Sequence, residues 1–100
     1  METFLTTTVK AVHIIDGNTF VISPSWHWRR REGDCVRASG YNCPEMGEPG
    51  WEKARSKLEE IILYGDIELK NPGEIELGVL VCDVYLEGIN IADYLRDMWR

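Results

Sequence analysis

The sequence has few cysteines, and their positions are not typical of a disulfide framework or a zinc site. Cys35, Cys43 and Cys82 are an odd number, are widely spaced and include no C-x-x-C pair. A disulfide-dependent secreted domain needs an even set of cysteines, and a structural zinc site needs paired ligands. We therefore expect reduced thiols and a cytoplasmic protein.

Long hydrophobic runs are also missing. The first ten residues are threonine-rich, contain one acidic residue and have no extended apolar stretch. A signal peptide needs an apolar segment, and a membrane-spanning helix needs about 20 apolar residues. We therefore expect neither a leader nor a membrane contact in this chain.

Positive charge is scarce. The chain has 11 Lys and Arg against 17 Asp and Glu, which gives a net charge of −6 and an isoelectric point near 4.8. This balance excludes a protein that coats nucleic acid by charge alone, because an acidic surface repels a polyanion. Any contact with nucleic acid must come from a local basic patch.

What is present is sufficient for one hydrophobic core. At 100 residues and 44% hydrophobic content, the sequence predicts a single domain over residues 1–100, and we expect it to be a monomer. This apolar content is too high for an intrinsically disordered chain.

Alternating apolar residues, bounded by Gly, Pro and Asn, predict five β-strands. The strands are expected at residues 9–15, 20–22, 34–41, 66–70 and 77–86. The Asp-Gly-Asn-Thr segment at residues 16–19 predicts a hairpin turn, and the Asn-Pro-Gly segment at 71–73 predicts another. Residues 23–33 lack a period and are expected to form an exposed hairpin loop.

Two helices are predicted. Trp51, Ala54 and Leu58 begin an apolar stripe with helical spacing, and Gly65 is expected to end that helix in a left-handed conformation. A second helix should follow Asn90, with Asp93 completing a capping box. Its expected buried residues are Ile91, Leu95 and Met98. The pattern favours a mainly β, α+β fold: a five-stranded OB-type β-barrel with a helix after strand 3 and a C-terminal helix.

The order of several short motifs resembles the thermonuclease (staphylococcal-nuclease-like) family. That family has the patterns V-x-D-G-D-T and R-L-x-G-I-D-x-P-E, then a helix, a G-R-x-L segment and a strand ending in D-G. The matching segments here are residues 15–19, 37–45, 51–64, 78–80 and 87–88. The resemblance implies an OB-type barrel and Ca²⁺-dependent cleavage of DNA and RNA phosphodiesters.

The implied calcium ligands are altered. Asn18 and Asn42 stand where the family has ligating aspartates, and the backbone of Cys43 is implied as a further ligand. An Asn side chain still offers an oxygen, but it carries no charge. A unit charge pair at ~4 Å contributes about 4 kcal/mol at an effective dielectric of ~20. We therefore expect Ca²⁺ to bind weakly or not at all.

Two implied catalytic residues are retained and one is replaced. Arg37 matches the arginine that binds the scissile phosphate, and Glu45 matches the glutamate that activates water. Val79 stands where the family has a second arginine, a change that lowers the rate on the order of 10³-fold by analogy with other phosphoryl-transfer arginines. Phosphodiester hydrolysis is therefore expected to be weak or lost.

Structural roles are open for the same residues. Arg37 could pair with Asp34 or Glu45, and Glu45 could instead cap nearby backbone donors. For Asn18 and Asn42, the role of turn residue is favoured over that of metal ligand, because Asn tolerates turn conformations.

Aromatic and basic residues cluster at positions 26–31. Trp26 and Trp28 could stack on bases while Arg29, Arg30 and Arg31 contact phosphates. Alternatively, the tryptophans pack on the barrel or on a partner protein, and the arginines are simply solvated. Two hypotheses follow: a weak or inactive Ca²⁺-dependent nuclease, or a non-catalytic module that binds single-stranded DNA or RNA, or a protein, through this segment.

Overall fold

The structure is a computed structural model that describes residues 8–96, and that range contains six strands and two helices. The strands are β1 (Thr8–Asp16), β2 (Thr19–Trp28), β3 (Arg31–Ala38), β4 (Asp66–Glu76), β5 (Val79–Leu86) and β6 (Ile89–Asn90). The helices are α1 (Trp51–Ile62) and α2 (Ala92–Leu95). No helix in residues 8–96 has the length and hydropathy needed to cross a membrane.

Five strands close into a barrel. β1 pairs antiparallel with β2 and β4, β2 pairs with β3, and β4 pairs with β5. The ring is completed by a parallel pairing of β3 with β5. The order β1-β2-β3-β5-β4 is that of an OB-type barrel, so the predicted fold is confirmed. Closure leaves the main barrel without a long free edge.

The core follows from the alternation of side chains along the strands. Every second residue at the end of β3 and through β5 points inward and is buried, as in Val36, Ala38, Leu80, Cys82 and Val84. The helix α1 begins at Trp51 as predicted, ends at Ile62 rather than at residue 64, and contributes Leu58 and Ile62 to the same core. It packs beside β1, where the Tyr64 N–H donates to the Ala11 carbonyl at 2.8 Å.

The predicted exposed loop at residues 23–33 is wrong. β2 and β3 continue through this segment and pair with each other, and a two-residue turn at Arg29 and Arg30 joins them. The pairing is irregular between Val21 and Trp26, around Pro24, and this breaks the period-two pattern on which the prediction relied. Likewise, β3 ends at Ala38 rather than at residue 41.

The predicted turn at residues 71–73 is also wrong. β4 runs through the Asn-Pro-Gly segment to Glu76, and the chain reverses instead at Leu77 and Gly78. The register shifts between Lys70 and Glu74, and Asn71 has a φ of 53° within this bulge. Residues that are typical of a turn therefore serve here to bend a strand.

The helix ends differ from their predicted capping. The left-handed residue after α1 is Tyr64, with a φ of 60°, rather than Gly65. Before α2, the Asn90 side-chain oxygen accepts the N–H of Ala92 at 2.9 Å, which replaces the predicted capping box with Asp93. Ile91 and Leu95 are buried as predicted, and Met98 lies outside the described residues.

Candidate functional site

The turn between β1 and β2 is organised by Asp16. Its carboxylate accepts the N–H of Asn18 at 3.0 Å, and only 9% of the residue is exposed. This short-range hydrogen bond stabilises the tight turn at Gly17 and Asn18. The negative charge of Asp16 is thereby held near the end of the barrel.

The side chain of Asn18 is engaged within the protein. Its amide oxygen accepts the hydroxyl of Thr19 at 3.2 Å, and its backbone carbonyl accepts the N–H of Ala38 at 2.8 Å. The second contact fixes the turn against the end of β3. Both contacts support the structural role of Asn18 as a turn residue.

Arg37 lies near the end of β3, opposite Thr19 on β2 and Val81 on β5. Its Nε lies 3.4 Å from the hydroxyl oxygen of Thr19 in a long hydrogen bond. Within residues 8–96, no carboxylate lies within ion-pair distance of Arg37. The alternative pairing with Asp34 or Glu45 is therefore not formed, and the rest of the guanidinium can meet an anion.

The sequence did not indicate that Thr19 belongs to the site. It is buried, at 5% exposed, and its hydroxyl connects Asn18 to Arg37. The register of the predicted hairpin could have identified it. Asp16 and Thr19 are paired on either side of the turn, and Thr19 is in turn paired with Arg37 on β3.

The segment after β3 is held against the turn. The hydroxyl of Tyr41 donates to the Gly17 carbonyl at 2.8 Å, and burial raises the pKa of Tyr41. Gly17 permits a close approach: a Cβ there would lie 2.9 Å from Cys43 Sγ and 2.8 Å from the Cβ of Ala54 in α1. The turn, this segment and the helix therefore meet at one point.

The thiol of Cys43 is influenced by burial and by charged residues. Burial raises the pKa of its thiol to about 11, the negative charges of Asp16 and Glu45 add to this effect, and the positive charge of Arg37 opposes it. Electrostatic effects of this kind require short separations. The β1–β2 turn that follows Asp16 lies against Cys43 at Gly17, and Arg37 lies opposite Thr19 of the same hairpin. The Cys43 thiol is protonated at neutral pH.

Glu45 is exposed and Glu48 takes the local capping role. The backbone N–H of Glu45 donates to the carboxylate of Glu48 at 2.7 Å, and the Glu48 N–H donates back to the Glu45 carbonyl at 2.9 Å. The Glu45 carboxylate itself accepts no hydrogen bond from residues 8–96. It is therefore open to solvent, as is the nearby Asn42.

The residues implied as calcium ligands offer few charged oxygens, because Asn18 and Asn42 are neutral amides. Across residues 8–96, no group of three or more His, Cys, Asp or Glu side chains is placed to hold a metal. The oxygen of Asn18 accepts from Thr19, and one carboxylate oxygen of Asp16 accepts from the backbone. Calcium binds six to eight oxygens and gains most from charged ones. Val79 pairs with Cys35 and adds no charge where the family has an arginine.

A second cluster lies at the far end of the β2–β3 hairpin, and we call Trp28, Arg29, Arg30 and Arg31 the basic tip. Trp28 is partly buried and packs against the core, while the three arginines are exposed. The Arg29 guanidinium lies 4.1 Å from the centroid of the Trp28 ring, a cation–π contact. In the described range, none of these arginines forms an ion pair.

Trp26 does not belong to that surface. It is 3% exposed, and its indole N–H donates to the Cys35 carbonyl at 2.9 Å. A Cβ at Gly33, the residue opposite on β3, would lie 2.7 Å from the ring, so the glycine makes room for the indole. Trp26 is therefore a core residue and is not available to stack on a base, which supports the alternative that it packs on the barrel.

A scan against models of known protein families and a search of curated proteins found no match to this chain. The thermonuclease resemblance therefore rests on the motifs quoted above and stays a prediction.

Proposed function

We propose that this protein is a non-catalytic OB-fold module that binds nucleic acid, with single-stranded DNA or RNA as the expected ligand. One observation carries the proposal: Arg29, Arg30 and Arg31 are consecutive, exposed and without a carboxylate partner in residues 8–96. In a chain with a net charge of −6, this is the local basic patch that nucleic-acid binding requires.

Arg37 supplies a further phosphate contact in this proposal. It lies six positions after Arg31 on β3, about 20 Å along the strand. A guanidinium can hold two phosphate oxygens at once, and among the described residues the side chain of Arg37 bonds only through its Nε. Phosphate contacts at both ends of β3 suit an extended strand of nucleic acid.

The test is the binding of labelled single-stranded oligonucleotides, measured by fluorescence anisotropy over a series of salt concentrations. If three or four phosphates are contacted, log K falls against log salt with a slope of about −2 to −3. Chelator should have no effect, and Arg37→Ala should lower the affinity. Lys53→Ala, which removes an exposed cation on α1, is the control and should leave binding unchanged. Affinity that ignores salt would contradict the proposal.

A second candidate is a weak phosphodiesterase of the thermonuclease type. It is favoured by the resemblance that assigns catalytic roles to Arg37 and Glu45, and by the exposure of Glu45. The test is hydrolysis of denatured DNA and of RNA at high protein concentration, with millimolar Ca²⁺ or with chelator. Calcium-dependent cleavage that disappears in Glu45→Gln would establish this enzyme. Lack of cleavage under all conditions would exclude it.

The proposed location is the cytoplasm, and the proposed state is a monomer. Cys35, Cys43 and Cys82 are all free thiols in the structure, which suits a reducing compartment. If no oligonucleotide binds, the proposed ligand of the basic tip is a protein.

A further inference from the structure

Three hairpin turns in the structure share one backbone conformation. The two central residues have positive φ angles at Arg29 and Arg30, at Leu77 and Gly78, and at Glu87 and Gly88. Each turn joins strands whose flanking residues are paired. This is the pattern of a type I′ turn, for which Asn-Gly is the favoured sequence.

The turn of the basic tip differs from the other two. The β4–β5 and β5–β6 turns have glycine at the second position, where a left-handed φ carries no steric penalty. The basic tip has arginine at both positions, with φ angles of 52° and 61°. A residue with a Cβ is disfavoured in this conformation, so the sequence at this turn is not the one that stabilises it best.

The stacking of Arg29 on Trp28 restricts what the basic tip can contact. The indole packs against the core and is covered by the guanidinium at 4.1 Å, so little of the ring is left for a base. A stacked guanidinium keeps its N–H donors at the edge, where they can meet an anion. Trp28 therefore positions Arg29 rather than stacking on the ligand.

We propose that the basic tip is a binding site for the phosphate backbone of nucleic acid, insensitive to base identity, and that the turn retains two strained arginines for this contact. The inference rests on the proposed function and deepens it by naming the part of the ligand that is recognised. Guanidinium groups match phosphate geometry, and the acidic remainder of the chain disfavours a broad contact with a polyanion.

The experiment compares two variants that each place Asn-Gly in a type I′ turn. Arg29→Asn with Arg30→Gly changes the basic tip, and Leu77→Asn makes the matched change in the β4–β5 turn, where Leu77 is 98% exposed. Both variants should raise Tm, the first by roughly 5 °C, because each places residues that tolerate the left-handed conformation, Asn or Gly, at positions with positive φ. A rise in Tm also shows that a loss of binding is not caused by misfolding.

Binding is measured on dT and dA single strands, on RNA and on a DNA duplex of equal length. The tip variant should bind at least tenfold more weakly, and its slope of log K against log salt should be smaller by about 1.4 to 1.8, because two phosphate contacts are lost. Leu77→Asn should match the parent. The class of oligonucleotide that binds most tightly identifies the source of the phosphates.

Trp28→Leu tests the positioning role. It should weaken binding to dT and dA strands by the same factor, because it removes the support of Arg29 and not a base contact. A loss confined to one base composition would overturn the inference by showing that Trp28 contacts bases.

Other outcomes separate the inference from the proposed function. If the parent protein binds nucleic acid and the tip variant binds equally well, the inference is wrong and the proposed function stands. If the protein binds vesicles of phosphatidylserine as tightly as it binds nucleic acid, the inference is also wrong. The basic tip would then bind anionic surfaces in general. If the parent binds no oligonucleotide at low salt, both fail together.

Discussion

Gly17 shows how a single residue connects three parts of this molecule. A Cβ at this position would lie within 2.9 Å of both Ala54 and Cys43. Gly17→Ala should therefore lower the free energy of unfolding by about 1 to 3 kcal/mol, because the helix or the segment after β3 must shift. Urea denaturation measures this.

The control for that substitution is Gly73→Ala. A Cβ at Gly73 would meet the Val81 carbonyl oxygen at 3.8 Å, an ordinary contact distance. Its effect should be clearly smaller than that of Gly17→Ala. Equal effects of the two substitutions would contradict the close packing at Gly17.

The reactivity of Cys43 is a second property set by local surroundings. Burial, together with Asp16 and Glu45, raises the pKa of this thiol from its ordinary 9.0 to about 11. The thiolate fraction at neutral pH is then roughly 100-fold lower than for an ordinary thiol. Alkylation by iodoacetamide at pH 7.5, mapped by mass spectrometry, should be correspondingly slower at Cys43 in the folded protein than in urea. Comparable rates in both states would contradict this.

At the scale of elements, the bulge in β4 depends on Asn71. It combines a φ of 53° with a hydrogen bond from its side-chain amide to Asp83 at 2.9 Å. Asn71→Gly keeps the conformation and loses the bond, whereas Asn71→Ala loses the bond and adds strain of about 1 kcal/mol. We therefore expect stability to fall in the order Asn, Gly, Ala, with Asn71→Val lowest. Thermal unfolding of the four proteins gives the order, and a different ranking would show that the bulge does not impose this conformation.

Periodicity predicts most of the elements but not their irregularities. The spacing of Trp51, Ala54 and Leu58 was enough to place α1, because the stripe has no interruption. The bulges near Pro24 and Asn71 insert extra residues, so a period-two pattern fails at those points although the strands continue. Sequence alone therefore gave a loop and a turn where the structure has strands.

The sequence indicated which residues belong to the candidate site but not which hydrogen bonds they make. The motifs placed Arg37, Glu45 and Asn18 in one site, and the structure connects Asn18 to Arg37 through the hydroxyl of Thr19. The functional role of these residues stays a prediction. The Asn18 oxygen accepts from Thr19, and Glu48 rather than Glu45 caps the backbone. Both contacts depend on local side-chain and backbone conformation. Such contacts leave no periodic signal in a single sequence.

At the scale of the whole molecule, buried thiols should make the fold sensitive to alkali. Burial and the charge of Asp83 raise the pKa of Cys82 from 9.0 to about 12, and the pKa of Cys43 is raised to about 11. Above pH 9, the unfolded chain loses these protons while the folded chain keeps them. The stabilisation from the protonated thiols is therefore complete below pH 9 and declines up to about pH 12.

Urea titrations from pH 7 to 11 measure this decline in the free energy of unfolding. Cys82→Ala removes the most strongly shifted thiol, so the decline should be shallower in that variant even if its stability at pH 7 is lower. An equally steep decline would assign the effect to other groups, such as Tyr41, whose pKa is also raised by burial.

The parallel pairing of β3 with β5 has a consequence for synthesis of the chain. Residues 35–38 of β3 pair with β5, which begins at Val79 and is synthesised about 40 residues later. Until β5 has emerged from the ribosome, this edge of β3 has no partner strand. An open strand edge can pair with another chain, and pairings distant in sequence form slowly. Aggregation of the nascent protein should therefore be most probable before β5 emerges, and a chaperone that covers β3 in that interval would raise the yield of folded protein.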